Sequence, residues 1–239
     1  MTRWRGWILL AATVGGALLT ARLGWWQLDR AAQKESLQTA IAARAEEPVL
    51  DGAAALATDE AAAEAQEHRR ARVTGQWLAE RTVHLDNRQM DGRPGFFVLT
   101  PLQLDDGSVL LVQRGWRPRD FVDRTRLPPL PAPEGVVALE GRLTRGPARL
   151  YEFEGADSGP IRQNLDLQSF ARESGLALRP LLLLQTSPAG DGLRRDWPAP
   201  AVDVHKHYGY AFQWFALCAL ILALHVWFRI LRPRRQSRA

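Results

Sequence analysis

The sequence predicts a membrane protein with two transmembrane helices flanking a β-rich (α+β) extramembrane domain. Three observations carry this. Residues 7–28 and 208–231 are apolar runs, each long enough for the about 20 helical residues that cross a hydrocarbon core of roughly 30 Å. Basic residues without acids gather outside both runs. Between the runs, short apolar and β-branched segments alternate with turn formers, the pattern of strands.

Residues 1–6 form the leading end and carry Arg3 and Arg5. The first run, "WILLAATVGGALLTARLGWWQL", has Trp4 and Trp7 at one end and Trp25 and Trp26 at the other, as an aromatic belt requires. Arg22 lies near its far end, where a long side chain can snorkel to the interface. A cleaved signal peptide is the rival reading. No small-x-small pair follows the apolar core at a suitable distance, and Arg22 with Trp25–Trp26 makes an awkward junction. An anchor is therefore expected.

The second run, "YGYAFQWFALCALILALHVWFRIL", opens on Tyr208 and Tyr210 and closes on Trp227 and Phe228. Arginines follow in the basic tail, residues 232–239. The positive-inside rule then places both termini in the cytoplasm and residues 29–207 outside. With no Arg- and Ser-rich presequence ahead of the anchor, the expected location is a bacterial inner membrane, with the middle domain periplasmic.

Charge supports this placement. The chain of 239 residues carries +5, but all 26 acids lie between Asp29 and Asp203. The stretch from Asp29 to His207 holds 23 Lys and Arg, so its balance is −3. The excess positive charge sits at the two ends, which fits membrane topology rather than phosphate binding. No nucleic-acid partner is expected. The one cysteine, Cys218, excludes an internal disulfide, a CxxC motif and a cysteine zinc site.

Residues 29–47 are polar and free of Gly and Pro, so they extend the first helix beyond the bilayer. Residues 52–66, rich in Ala and acids, suit a short surface helix or a mobile linker. Strands are predicted at 70–78, 81–89, 95–104, 108–116, 136–144 and 177–186. "LDDGS" joins two of them as a hairpin. "LPPLPAP" (127–133) is an extended connector, because proline has no N–H for a ladder. A helix is predicted over 166–174, with Asp166 as N-cap and Gly175 as stop. There is no internal repeat.

The chain has no GxSxG elbow, phosphate-binding glycine loop or HExxH. No enzyme is indicated. The second run is more telling, since polar groups at membrane depth are costly and line a site or a partner interface. On a helix, His207, Tyr210, Ala211, Trp214 and Cys218 share one face. His207 at the membrane mouth, above Tyr210 and Trp214, suits a haem iron, with Ala211 leaving room for the porphyrin. The plain alternative is that histidine and aromatic residues belong at any interface. His205 reads as interfacial, and His225, five turns beyond His207, as paired with headgroups or the basic tail. Gln213 projects from another face and is expected to hydrogen-bond across to the first helix, which carries Gln27 and Arg22.

Four blocks resemble the SURF1 family, the assembly factors of cytochrome c oxidase. "LGWWQLDRAAQK" (23–34), which contains Gln27 and Arg30, is similar to the family's signature at the end of the first span. "LDNRQMDGRPGFFVLTPL" (85–102), "LLVQRGWRP" (110–118) and "HYGYAFQWFAL" (207–217) resemble its later blocks, in the same order. Gln113 stands where the family usually has Asn. The resemblance implies a protein that binds haem a and presents it to the nascent catalytic subunit of a haem–copper oxidase. It implies His207 as the iron ligand. The implied partners are that subunit, a haem a synthase and the lipid bilayer. Pro94, Gly95, Arg114, Gly115 and Trp116 are the implied shaping residues of the outer domain. Gly95 is expected in a tight turn. Arg114 is expected either to bind a haem propionate or partner carboxylate, or to hold the β-domain together. Two rivals stand beside the carrier: a cofactor-free scaffold for oxidase subunits, and an anchored periplasmic enzyme.

Overall fold

The computed structural model describes residues 3–120, 122–123, 126–127, 129–131, 133–150, 159–197 and 204–231, so the basic tail lies outside the described residues. The elements in order are α1 (Arg3–Glu46), β1 (Leu50–Asp51), α2 (Glu60–Gln66), β2 (Arg70–Trp77), β3 (Val83–Met90), β4 (Arg93–Leu104), β5 (Val109–Pro118), β6 (Val136–Thr144), β7 (Ile161–Arg162), α3 (Leu167–Ser174), β8 (Leu178–Gln185) and α4 (Val204–Val226). A π-helical turn, Trp227–Leu231, follows α4. Two compact units result, a helix pair within residues 1–40 and 199–239 and a β-domain within 41–198.

No proline interrupts the chain before Pro48, and α1 runs for 44 residues. At 1.5 Å per residue that is about 66 Å, roughly twice a hydrocarbon core. The polar residues from Asp29 onward thus continue the helix, as expected. Both α1 and α4 contain a stretch long and apolar enough to cross a membrane.

In the β-domain, β2, β6, β8, β5 and β4 are hydrogen-bonded in that order, and β4 returns to β2 through Trp77↔Leu102, Gln76↔Gln103 and Gly75↔Leu104. The ring closes into a five-stranded barrel. β3 flanks β4, β7 flanks β3, and β1 flanks β2. Barrel closure explains the runs of consecutive leucines. Leu181 and Leu183 of β8 join Leu110, Val112 and Leu143 in one core. Leu182 points the other way, to Leu85, Leu99, Leu111 and Phe170 of α3. Period 2 along the strand therefore serves two apolar faces at once. The local signals for α3 hold. The Asp166 carboxylate accepts from the Ser169 N–H at 2.9 Å, and Gly175 ends the helix in the left-handed region.

Two expectations are corrected. Residues 52–66 are not a mobile linker; their second half is the expected short helix, α2, with Glu60, Ala61, Glu64 and Ala65 exposed, but the segment also contributes to the core. Ala53, Leu56, Ala57 and Ala63 are buried in the barrel core, where small side chains let the backbone approach. Arg179 of β8, itself buried, donates to the carbonyls of Leu56 and Ala57 and to Asp106 and so ties this segment down. Gly95 is not in a turn. It lies inside β4, where a Cβ would come within 2.2 Å of the Arg117 carbonyl and 2.6 Å of the Trp116 ring. The β3–β4 turn is made by Asp91 and Gly92, both at positive φ as a two-residue hairpin requires.

His84 of β3 is buried edge-on to Phe96, and neither ring nitrogen has a hydrogen-bond partner among the described residues. Burial, helped by the positive charge of Arg117, lowers its pKa from the ordinary imidazole value of 6.5 to about 4. The unfolded chain therefore binds a proton between these values that the folded chain does not. Stability is full above pH 6.5 and falls as the pH drops towards 4, by up to about 3 kcal/mol. The expected result is a thermal midpoint that declines across this window in the full-length protein. His84→Leu should flatten the decline, and an unchanged decline in that variant would exclude His84 as its source.

Candidate functional site

The helix pair is built on small residues. Ala17, Thr20, Gly24, Gln27 and Ala31 recur three or four apart along α1, the spacing that keeps one face towards a partner. Gly24 leaves room for the Phe215 ring of α4, which also packs edge-on to Trp25 at 6.1 Å. The α1–α4 contacts run antiparallel. The Cys218 thiol donates to the Ala17 carbonyl at 3.3 Å. Thr13 donates its hydroxyl hydrogen to the Leu9 carbonyl at 2.8 Å and so faces His225 Nδ1, at 2.9 Å, as an acceptor. At the other end Gln27 Oε1 lies 2.7 Å from His207 Nδ1. Just beyond it, the Tyr208 hydroxyl donates to Glu35 at 2.9 Å.

Three side chains differ from expectation. His225 meets Thr13 rather than headgroups. It sits five turns after His207, so it returns to the face that α1 covers. The cross-helix bond expected of Gln213 is made by His207. Gln213 is exposed and has no hydrogen bond among the described residues, because six positions past His207 is about 240° round the helix. Ala211, expected to leave room for a porphyrin, is only 2% exposed and lies buried in the helix pair. His205 is exposed.

His207 is half-buried and Trp214 likewise, whereas Tyr210 is 52% exposed. The polar contact is informative about chemistry. An amide oxygen only accepts, so with Gln27 Oε1 opposite, Nδ1 is the donor of this contact. In the neutral ring that leaves the lone pair on Nε2, which makes no hydrogen bond among the described residues. An imidazole arranged in that way, one nitrogen donating to a carbonyl oxygen and the other unengaged, has the donor set of an iron ligand. On that test the His207 ring has the chemistry of an axial donor, while Ala211 leaves no space for a porphyrin on its side of α4. Arg30 is exposed, donates to Gln33 Oε1 at 3.2 Å and lies over the Trp26 ring.

The second constellation lies wholly within the β-domain. Arg114 and Asp191 are 1% and 2% exposed and pair at 3.1 Å. Arg114 also donates to the Pro131 carbonyl at 2.7 Å and stacks over Trp77. Arg195 reaches the same Asp191 oxygen at 2.8 Å. Burial works to raise the Asp191 carboxyl. The hydrogen bond and charge of Arg195, the Leu193 N–H and the charge of Arg114 outweigh it and hold the group below the usual carboxylate range. Gly115 faces Leu193, and Trp116 pairs with Arg194 through both backbone bonds at 2.7 and 2.8 Å. The Trp116 indole donates to the Arg88 carbonyl at 2.8 Å, on the strand that pairs with Pro94–Gly95 of β4. The carboxylate that Arg114 meets is thus the chain's own, and the whole motif clasps residues 191–197 to β5. Sequence reasoning missed Asp191, Arg195 and Arg88. A signal existed for the first, since an arginine inside the apolar run "LLVQRGW" demands a buried acid, and "GDGLRRDW" offers one between two glycines.

No group of three or more His, Cys, Asp or Glu side chains is arranged to hold a metal ion among the described residues. A model of the SURF1 family matches residues 15–219. A SURF1-like protein of Monosiga brevicollis is 29% identical over 93% of this chain and 87% of its own length. A SURF1-like protein of Rickettsia bellii is 22% identical over 87% of this chain and 85% of its own. One from Mycobacterium tuberculosis, described as uncharacterized, is 27% identical over 98% of this chain and 88% of its own.

Proposed function

Because the chain belongs to the SURF1 family, we propose that it is an assembly factor for a haem–copper cytochrome c oxidase. It carries haem a on His207 and passes it to the catalytic subunit, and it is not an enzyme. It sits in a bacterial inner membrane with both termini in the cytoplasm and the β-domain in the periplasm. The basic ends of the chain and the two apolar helices support that placement. A haem a synthase is the source from which the haem comes.

One observation carries the proposal: the Gln27–His207 contact, which leaves Nε2 as a lone-pair donor on the helix pair. When bound, haem a supplies the redox-active iron that the oxidase needs, and this chain only holds and releases it. His207 would hold the iron, and Tyr210 and Trp214 would supply the aromatic surface for the macrocycle. Affinity has to be moderate, since a carrier that binds far tighter than the acceptor cannot transfer its load.

The test is the absorption spectrum of the full-length protein purified in detergent from cells making haem a. The wild type is expected to carry haem and His207→Ala to lose most of it. Unchanged haem in the variant would remove His207 as ligand. The scaffold reading has its own support in Gln213, a polar group exposed beside Phe212, itself 74% exposed. At membrane depth such a group calls for a partner from another chain. A colourless wild type that still co-purifies with the catalytic subunit would favour it.

A further inference from the structure

We infer that Gln27 is a positioning residue for His207: its side-chain oxygen fixes the imidazole as the Nδ1–H tautomer and so makes Nε2 the ligating nitrogen. The inference rests on haem ligation by His207 for its purpose, but not for its geometry. Gln27 is 9% exposed and its Oε1 lies 2.7 Å from Nδ1. A buried amide oxygen at that distance needs a donor, and Nδ1 of the ring is the partner it meets among the described residues. Free neutral imidazole is not held to this tautomer. The contact therefore selects one state and also fixes the ring plane relative to α1.

Three consequences follow for the ligand. The lone pair is presented on the nitrogen farther from the α4 backbone, with longer reach. The hydrogen bond that Nδ1–H donates to Gln27 Oε1 raises the basicity of Nε2 and strengthens its donation to iron. The contact also joins residues 180 positions apart, so ligand orientation depends on correct packing of the two helices. Loss of α1–α4 contact would free the ring, and a weakened ligand favours release. Gln27 thereby couples helix packing to how firmly the haem is held.

The test has one arm without cofactor and one with it. In the first, the full-length protein is labelled with ¹⁵N-histidine, and the His207 resonances are assigned by their absence in His207→Ala. Wild type is expected to show the Nδ1–H tautomer. Gln27→Leu, similar in size and unable to accept, is expected to shift His207 towards Nε2–H. Gln27→Glu keeps an acceptor and should restore Nδ1–H. In the second arm, haem a is bound to the same proteins. Gln27→Leu is expected to lose about 10- to 100-fold in affinity, the usual cost of removing an outer-shell partner, and to raise the midpoint potential. Gln27→Glu, a stronger acceptor, should lower it. Opposite shifts from one position are not expected of a residue that only packs. A wild type with Nε2–H, or a Gln27→Leu protein with unchanged tautomer, affinity and potential, would overturn the role of Gln27. If His207→Ala keeps its haem while the tautomer results stand, the ligand assignment fails and the positioning contact survives.

Discussion

Replacing Asp191 with Ala is expected to destabilise the β-domain by about 3–5 kcal/mol, the cost of leaving a buried charge without its partner. The Arg114 guanidinium is 1% exposed and Asp191 is the acid it meets. Its Nε and Nη1 already lack partners among the described residues, so it has no reserve of hydrogen bonds to fall back on. Asp191 also accepts from Arg195 and from the Leu193 N–H. Its removal therefore frees residues 191–197, and with them the short backbone bridge from Arg194 to Trp116. For a domain of this size the thermal midpoint should fall on the order of 10 °C. The full-length protein in detergent, followed by tryptophan fluorescence, gives the readout. Because the desolvation cost is what makes the pair expensive, Arg114→Met with Asp191→Leu should recover much of the loss. A midpoint within about 2 °C of wild type for the single variant would show that the ion pair does not hold the clasp.

The fold was most legible where the signals are local. The predicted helix at 166–174 is found with its cap and its stop in place, because Asp166 and Gly175 act on neighbours within four residues. All six predicted strands exist. The Asp-Gly pair at 106–107 is legible as a turn. The equally plain pair Asp91–Gly92 is the β3–β4 turn, while Gly95, expected there, lies inside β4. What the alternating pattern does not contain is closure: the pairing of Trp77 with Leu102 joins strands that are not neighbours in sequence. Only within that barrel does an alanine-rich segment such as 52–66 become core. Small side chains bury little area, and their worth lies in fitting a confined space.

The site shows the same division. The stripe of His207, Ala211 and Cys218 on α4 follows from helical period alone, and all three are at least half-buried in the helix pair. The partners follow only from how α1 and α4 pack. Gln27 and Thr13 lie 180 and 212 positions from the histidines they meet. Gln213 suggests itself as the bridging residue for being polar within an apolar helix. Its azimuth, six residues from His207, argues otherwise.

A strain whose only copy of this chain carries His207→Ala is expected to make oxidase polypeptides that lack most of their haem a. The reasoning is chemical. Haem a is apolar and reactive when free, so on the proposed function its delivery would suffer without the ligand that holds it. His207 lies in α4, outside the β-domain's residues 41–198, so the variant should leave that domain folded and any purely scaffolding role intact. The decisive measurement is the amount of haem a per copy of the oxidase catalytic subunit, purified from strains with the wild-type chain, with His207→Ala and with no chain. The expected result is a full complement with the wild type and a similar, severe deficit in the other two. A full complement with His207→Ala, alongside a deficit when the chain is absent, would contradict haem delivery through this histidine.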